Sequence, residues 1–449
     1  MNPKQRKPAI SPARRAAFDI LLRVEGEGAY ASVLIASLPG TDLSREDRAL
    51  AQEITLGVLR WQGLLDFLIE HHANRPVRGL DVQVAIALRI GLYQLRYLAR
   101  VPPSAAVNES VNLVKKFGVR SAAGLVNAVL RKAAESPAHE AGAGIEDPLE
   151  RASVEVSHPA WMLRRWSASF GEAEARSLAL ANNAAPATAF RVNTLRSTID
   201  EALAGLAEQG VMARASRFVP GAFIVEQGAA AVAKAAEHGS IYIQDEASQL
   251  VSLLLDPQPG ERVLDVCAAP GSKATHIAAL TGDKSWIVAC DVHSHRLNSL
   301  TAACERLWVR SINTISLDAT HELPFVSDAP KFDRVLIDAP CSGTGTLRRN
   351  PEIKWRLAPE DIQRLAELQQ AVLACAAAWV RRGGRLVYST CSLEQEENEE
   401  VIRRFIESNP SFRVIEPNAV EMITPSGFIS TFPHRHGMDG FFAAVLEKT

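Results

Sequence analysis

Apolar residues in the first 135 positions recur at intervals of three and four, whereas beyond position 240 they gather into short unbroken runs separated by longer amphipathic stretches. The early spacing predicts an all-helical segment. Leu50, Ile54, Val58 and Trp61 mark one helical face, with Ser44 and Asp47 placed as a capping box ahead of them. Val107, Val111 and Val114 mark a second, opened by Pro102-Pro103-Ser104, a helix-start signal. Positions 82–95 are apolar almost all round (Ile86, Leu88, Ile90, Leu92, Leu95), as in a helix at the centre of a bundle. Residues 136–148, rich in small residues, Gly and Pro, predict a linker.

From 151 to about 235 the pattern is mixed: AFRVNTL reads as a strand, residues 198–209 as a helix and GAFIVEQG as a second strand. From 240 onward VLDVCA, WIVACDV, INTISLD, RVLIDAP and RLVYSTC alternate with helical stretches, the signature of βαβ units and a parallel sheet. GFFAAVLEKT predicts a terminal strand. The expected fold is therefore multidomain: all-α over 1–138, a small α+β connector over 151–238, and an α/β Rossmann-like domain over 239–449.

Composition narrows the class. In 449 residues, 47% hydrophobic and 22% charged describe an ordinary soluble chain rather than a disordered one. No run approaches eighteen uninterrupted apolar residues, so no membrane span is expected. The opening MNPKQRKPAISPARR lacks the apolar core of a secretory signal and reads as a mobile basic arm. Six cysteines without a C-x-x-C pair argue against a zinc site and a disulfide framework, and reduced thiols fit the cytosol. A net charge of −2 gives no global attraction to nucleic acid, so RNA contacts must come from local patches.

The chemistry lies at the ends of the apolar runs. VLDVCAAPGSKATHI is a strand leading through Cys267, Ala268, Ala269, Pro270 and Gly271 into a helix at Ser272 and Lys273, which sets backbone N–H groups around a cofactor. It is neither G-x-G-x-x-G nor a P-loop. Asp291 ends the next strand, 26 residues after Asp265, where an acid holds ribose hydroxyls. Asp318 and Asp338 end the third and fourth. One such Asp is more simply a helix cap; four at one sheet edge beside a Pro-Gly loop point to a nucleoside-bearing cofactor. DAPCSGTG and YSTCS close two further runs, so Cys341 and Cys391 are candidates to share a pocket, where a thiolate is a strong nucleophile. Cys290, Cys304 and Cys375 read as buried small hydrophobes, and Cys267 as a loop residue used for its backbone.

These motifs, with DAPCSGTGTLRRNPEIKW and TFPHRHGMDGFF, together resemble the S-adenosylmethionine-dependent RNA cytosine-5 methyltransferases. REDRALAQEITLGVLRW and AVNESVNLVKKFG resemble the NusB-type RNA-binding fold, a pairing similar to the bacterial RsmB (Sun, Fmu) family. The resemblance spans nearly the whole chain. Ser272 departs from it, since the family usually has a second glycine there. The resemblance implies an RRM-like connector, S-adenosylmethionine bound by the loop with Asp291, Arg296, Asp318 and Asp338, and methyl transfer to a cytosine of 16S rRNA, naked or in an assembly intermediate, by a cytoplasmic monomer without a metal. Transfer RNA or DNA as substrate, and a non-enzymatic NusB-like assembly factor, are the alternatives.

Carbon 5 of cytosine is too weak a nucleophile to accept a methyl group unaided. A thiolate adding at carbon 6 makes it enamine-like, and a second group assists release. The resemblance assigns attack to Cys391 and release to Cys341, although related DNA enzymes attack from the Pro-Cys position. Locally, Ser392 and Gln395 predict a capping box beside Cys391, and a helix amino terminus lowers a thiol pKa; Glu394, Glu396 and Glu397 oppose that, leaving the net shift unsigned. Asp338 matches the acid holding the cytosine edge. Lys273 matches the motif lysine, a solvated helix-start lysine being the alternative. Arg348, Arg349, Lys354 and Arg356 around Trp355 suit RNA backbone neutralisation and base stacking, or else a solvated loop with a packed tryptophan. Lys115 and Lys116, with Arg120, Arg131 and Lys132, form a second candidate patch, and Arg164 with Arg165 a weaker one.

Overall fold

The fold is seen in a computed structural model that describes residues 10–38, 42–135, 141–326, 329–417 and 422–449. The chain forms two compact units, Met1–Ala185 with Leu347–Arg356, and Pro186–Thr346 with Leu357–Thr449.

The first unit is helical. Helix Arg45–Arg60 starts where its capping residue directs: Ser44 Oγ accepts the Asp47 N–H at 3.0 Å. Ile54 and Val58 on its inner face are buried, and Leu50 and Trp61 half-buried. Helix Val82–Tyr97 is buried without interruption from Val84 to Gln94, the central element its all-round apolar pattern demands. Gly57 lets these two helices meet, because a Cβ there would lie 1.9 Å from Tyr93 Cζ. Helix Pro103–Lys116 follows Pro102, burying Val107 and Val114. Residues 1–9 of the expected basic arm and 136–140 of the expected linker lie outside the described residues. The end of that arm is not mobile chain: helix Pro12–Glu27 buries Arg14, which pairs with Glu109 at 3.0 Å and donates to Gln94. Helices Pro148–Glu155, Ala160–Phe170 and Glu172–Asn182 complete the bundle, a stretch whose helices the mixed sequence pattern did not reveal.

The stretch Leu347–Arg356 belongs to this unit, and it corrects the expected RNA patch. Lys354 is 1% exposed; its ammonium donates to Arg60 O at 2.8 Å and Asn183 Oδ1 at 3.0 Å. Trp355 Nε1 donates to Leu59 O at 2.7 Å, and its indole occupies the space a Cβ on Gly63 would need. Arg348 is buried, its carbonyl accepting from Arg60, and Arg349 is half-buried. Arg356 is exposed, yet it donates to Gly28 O and Ala29 O at 2.8 and 2.7 Å. Backbone carbonyls of a bundle absorb these donors, which tertiary packing decided and local composition did not. Lys115, Lys116, Arg120, Arg131, Lys132 and Arg164 are exposed.

The second unit opens with a small antiparallel sheet in the order β2-β3-β1-β4: β1 (Ala189–Val192), β2 (Met212–Ala215), β3 (Ala222–Gln227) and β4 (Ile241–Ile243). Helix Ile199–Glu208, opened by a Thr198–Glu201 capping box, and helix Ala229–Glu237 pack Leu206, Val232 and Ala235 against Phe190 and Phe223. β2 is largely exposed and so lacks an apolar run, and β4 is only three residues long, so neither shows in the sequence pattern.

The large sheet has the order β10-β12-β9-β8-β5-β6-β7, with β11 beside β12. Its strands are β5 (Arg262–Asp265), β6 (Trp286–Asp291), β7 (Ile312–Ser316), β8 (Phe332–Asp338), β9 (Val380–Thr390), β10 (Phe412–Val414), β11 (Ile429–Ser430) and β12 (Phe442–Lys448). β7, β6, β5, β8 and β9 run parallel; β12 is antiparallel to β9. Val263, Leu264, Ile287, Val335, Leu336, Leu386 and Val387 are all fully buried, which is why these strands read as unbroken apolar runs.

Each unit also buries a histidine. His158 (1% exposed, Nδ1 2.7 Å from Val156 O) and His276 (7%) are held well below the ordinary imidazole range, first by burial and then by the positive charge of Lys354 and Arg191 respectively. Their unfolded forms take up a proton below about pH 6.5 that the folded forms refuse, so stability is lost as pH falls through that value. Denaturation between about pH 7.5 and 5.5 should show stability falling by up to about 1.4 kcal/mol per pH unit for each imidazole, and His158→Gln/His276→Gln should flatten the profile. Equal slopes in the two proteins would contradict this.

Candidate active site

The carboxyl ends of β5, β6, β8 and β9 open onto one cavity of about 550 Å³, lined among others by Cys267, Asp291, Asp318, Asp338, Cys341 and Cys391. It sits where the strand order reverses, with β6 on one side of β5 and β8 on the other, the usual ligand crevice of an open α/β sheet.

β5 ends at Asp265, and the chain turns through Val266–Gly271 into helix Ser272–Leu280. Gly271 holds φ +106°, and a Cβ there would also sit 2.8 Å from Leu300 Cγ, so only glycine serves. The neighbouring Ser272 starts the helix without such a demand. Asp291, 4% exposed at the end of β6, accepts the His293 N–H at 2.9 Å and the Ala269 N–H at 3.3 Å, locking the loop to its own strand end. Arg296 crosses to Ala269 O at 2.9 Å and Asp291 at 3.5 Å. Asp318 lies two residues past β7 and is half exposed; its bonds from Thr320 hold its carboxyl below the usual range.

Lys273 is no solvated lysine. It is 5% exposed, and its Nζ lies 2.7 Å from Asp338 Oδ2. Ser389 Oγ donates to the other Asp338 oxygen at 3.0 Å. Beneath them Asp265, 1% exposed, is pushed up to about 8 by burial and then by the Asp338 charge, against the pull of Lys273.

β8 and β9 are in register from Arg334↔Arg385 to Asp338↔Ser389, and Ala339 N–H donates to Ser389 O at 2.8 Å. Continuing past that point, Cys341 Sγ and Cys391 Sγ come to 3.3 Å. The hydrogen bond with Cys391, and then burial, push the Cys341 thiol well up, so it keeps its proton. The two loops are joined again at Gly345, whose N–H donates to Cys391 O at 2.9 Å and whose O accepts from Gly440 N–H at 2.8 Å. A Cβ on Gly345 would lie 1.9 Å from Gly440 O. Burial pushes Cys290 up to about 12 and Cys304 to about 11, and it also raises Cys267 and Cys375, so these four stay inert thiols.

The expected capping box at Ser392 and Gln395 does not form. Ser392 Oγ donates to Glu397 and accepts the Glu394 N–H at 3.1 Å; a single 3-10 turn, Gln395–Glu397, intervenes before helix Glu399–Ser408. Cys391 therefore does not stand at the end of a helix. Glu397, which the sequence presents inside the acidic run EQEENEE, is fully buried and was missed as a site residue.

A mixed sheet in this order, parallel from β7 to β9 and with a nucleoside-sized cavity over its reversal point, is the α/β domain of S-adenosylmethionine-dependent methyltransferases. Residues 252–447 match the family model for the 16S rRNA methyltransferase RsmB/F, 11–135 the NusB family, and 158–232 the RsmF/B-like ferredoxin-like domain. The chain is 35% identical to the "Probable ribosomal RNA small subunit methyltransferase B" of Bacillus subtilis (strain 168), over 97% of this chain and 98% of that protein. It is 34% identical to the ribosomal RNA small subunit methyltransferase B of Pseudomonas putida, over 98% and 99% of the two chains. The crystal structure of PH0851 superposes with a TM-score of 0.83 at 28% identity, covering 98% of this chain and 100% of that one. The chain belongs to the RsmB family of small-subunit ribosomal RNA methyltransferases, whose methyl donor is S-adenosylmethionine.

An acid whose folded pKa lies above its ordinary value stabilises the fold while protonated. For Asp265 that contribution is complete below about pH 3.8 and is lost as pH rises through about 8. Asp265→Asn should lose less of its melting temperature than the parent between about pH 6 and 9. Parallel profiles for the two proteins would be inconsistent with a protonated buried carboxyl.

Proposed function

We propose that this protein transfers a methyl group from S-adenosylmethionine to carbon 5 of a cytosine in 16S rRNA, through a covalent bond between Cys391 and carbon 6. The observation that carries the reading is the 3.3 Å separation of the Cys341 and Cys391 sulfurs within one cavity. One sulfur to add at carbon 6 and a second beside it to assist release is what addition followed by elimination requires.

The cavity suits the donor. Carboxylates at Asp291 and Asp318 meet hydroxyl and amino groups, while Leu317 and Ala319 give an apolar wall. Cys267 and Ala269 of the loop, with Arg296, also line it. S-adenosylmethionine, when bound there, supplies an electrophilic methyl group.

Cys391, having given its proton to solvent, adds to carbon 6, and the displaced ring electrons reach carbon 5, which takes the methyl group. Asp338 holds the amino edge of the base, and Lys273 beside it puts positive charge where the ring gains electrons. Release reverses the addition. The carbon 5 proton passes to Cys341 as Cys341 gives its own proton to the departing Cys391 sulfur, and the C–H electrons restore the double bond. A stacked cytosine cannot enter such a site, so the base is unpaired or flipped. The three-part division at 1–138, 151–238 and 239–449 assigns RNA holding to the helical part, with Lys115 and Lys116 as contacts. A ribosomal RNA substrate sets the work in the cytoplasm.

Cys391→Ala should abolish methylation of a 16S rRNA transcript, a loss of at least about a thousandfold. Cys341→Ala should instead accumulate a protein–RNA adduct that survives denaturing electrophoresis. Exchanged phenotypes would reverse the two roles, and labelling at any position other than carbon 5 would overturn the reading.

A further inference from the structure

One buried carboxylate touches both cysteine loops. Glu397 is 0% exposed. Its Oε1 accepts the Ser342 N–H at 2.8 Å and the Gln369 side-chain amide at 2.9 Å; its Oε2 accepts the hydroxyls of Ser342 and Ser392. Ser342 follows Cys341 and Ser392 follows Cys391, so a single side chain fastens the residue after each sulfur. The acid is itself fixed from behind. Tyr388 OH donates to Glu397 O at 2.6 Å, and Gln369 also reaches Pro340 O, at 2.9 Å, immediately before Cys341.

Burying an acid is costly unless donors surround it, and loss of a buried charged hydrogen bond costs several-fold more than loss of an exposed one. Here four donors converge and no lysine or arginine is among them. Such an arrangement orders loops without cancelling the charge. Burial raises the pKa of the acid itself, and when ionised its charge adds to the forces that keep the Cys341 thiol protonated. The two sulfurs belong to separate loops that leave the sheet after Asp338 and Thr390, and the strand register alone does not fix their last few tenths of an ångström.

We infer that Glu397 is the positioning residue of the thiol pair: acting through Ser342 and Ser392, it holds Cys341 and Cys391 side by side for transfer and release. The inference rests on the proposed two-thiol reaction, but its test reads the geometry separately. Dibromobimane becomes fluorescent when two neighbouring thiols each displace one bromide, and Cys341→Ser and Cys391→Ser supply the background. In the full chain, Glu397→Gln replaces an acceptor oxygen by an amide nitrogen that cannot accept from a hydroxyl.

We expect its Cys341–Cys391 bridging rate to fall at least about tenfold and kcat at least about a hundredfold, with KM for S-adenosylmethionine within about twofold. Glu397→Asp should recover part of both. Ser342→Ala and Ser392→Ala should each lower bridging, and Glu397→Gln should lower it less in the double serine variant than in the parent, because the acid then keeps only the position-342 N–H and Gln369. These serine variants carry the test where Glu397→Gln does not fold. A folded Glu397→Gln that bridges at the parent rate, or serine and Glu397 effects that simply add, would overturn the inference. A parent that bridges normally but leaves cytosine carbon 5 unmethylated would overturn the proposed reaction and leave the clamp standing.

Discussion

The parallel pairing of β8 with β9 is the constraint on which the site depends. Asp338 lies opposite Ser389, so Cys341, three residues after the one, and Cys391, two residues after the other, arrive side by side. A slip of one residue would turn each side chain to the opposite face and separate the sulfurs. The same register sets the Asp338 carboxylate where Ser389 and Lys273 reach it from two directions. Apolar burial on both faces of β5, β8 and β9 fixes that register, and the reactive groups inherit it.

Above the sheet the interior is polar, and each group is fastened. Lys273 answers Asp338, and Glu397 gathers Ser342, Ser392 and Gln369. Thr390 and Ser392 bond to Asn398, and Thr344 accepts the Leu393 N–H at 2.9 Å. In a medium of low dielectric such bonds are stronger than in water, and an unmet partner is correspondingly damaging. Motifs distant in the sequence thus form one network. Its chemical consequence is two thiols held in contact, 3.3 Å apart, with the Cys341 thiol pushed up by its hydrogen bond with Cys391 and by burial.

Much of this was legible in the chain. The βαβ alternation, the Pro-Gly loop and the strand-end acids Asp265, Asp291 and Asp338 depend on local patterns that a sequence displays directly. The pairing of Cys341 with Cys391 followed from strand ends sharing one edge of a sheet. What could not be read is whatever tertiary packing decided. Lys354 and Trp355 look like a nucleic-acid patch until the carbonyls of Arg60 and Leu59 are seen to accept their hydrogen bonds. Glu397 looks like one acid in a solvated run, and Ser392 like a helix cap, because neither reveals Ser342, fifty positions before Ser392. Arg14 sits in a basic stretch, yet Glu109 holds it from another helix.

The central claim is that the Cys391 sulfur bonds to a cytosine ring. It is tested most directly by incubating the protein and S-adenosylmethionine with a 16S rRNA transcript carrying 5-fluorocytidine, in which no proton can leave carbon 5 after transfer. Protease and nuclease digestion followed by mass spectrometry then locates the trapped nucleotide. The account predicts a methylated fluorocytidine attached to Cys391 and none on Cys341. Attachment at Cys341, or methylated RNA with no attachment to the protein, would contradict it.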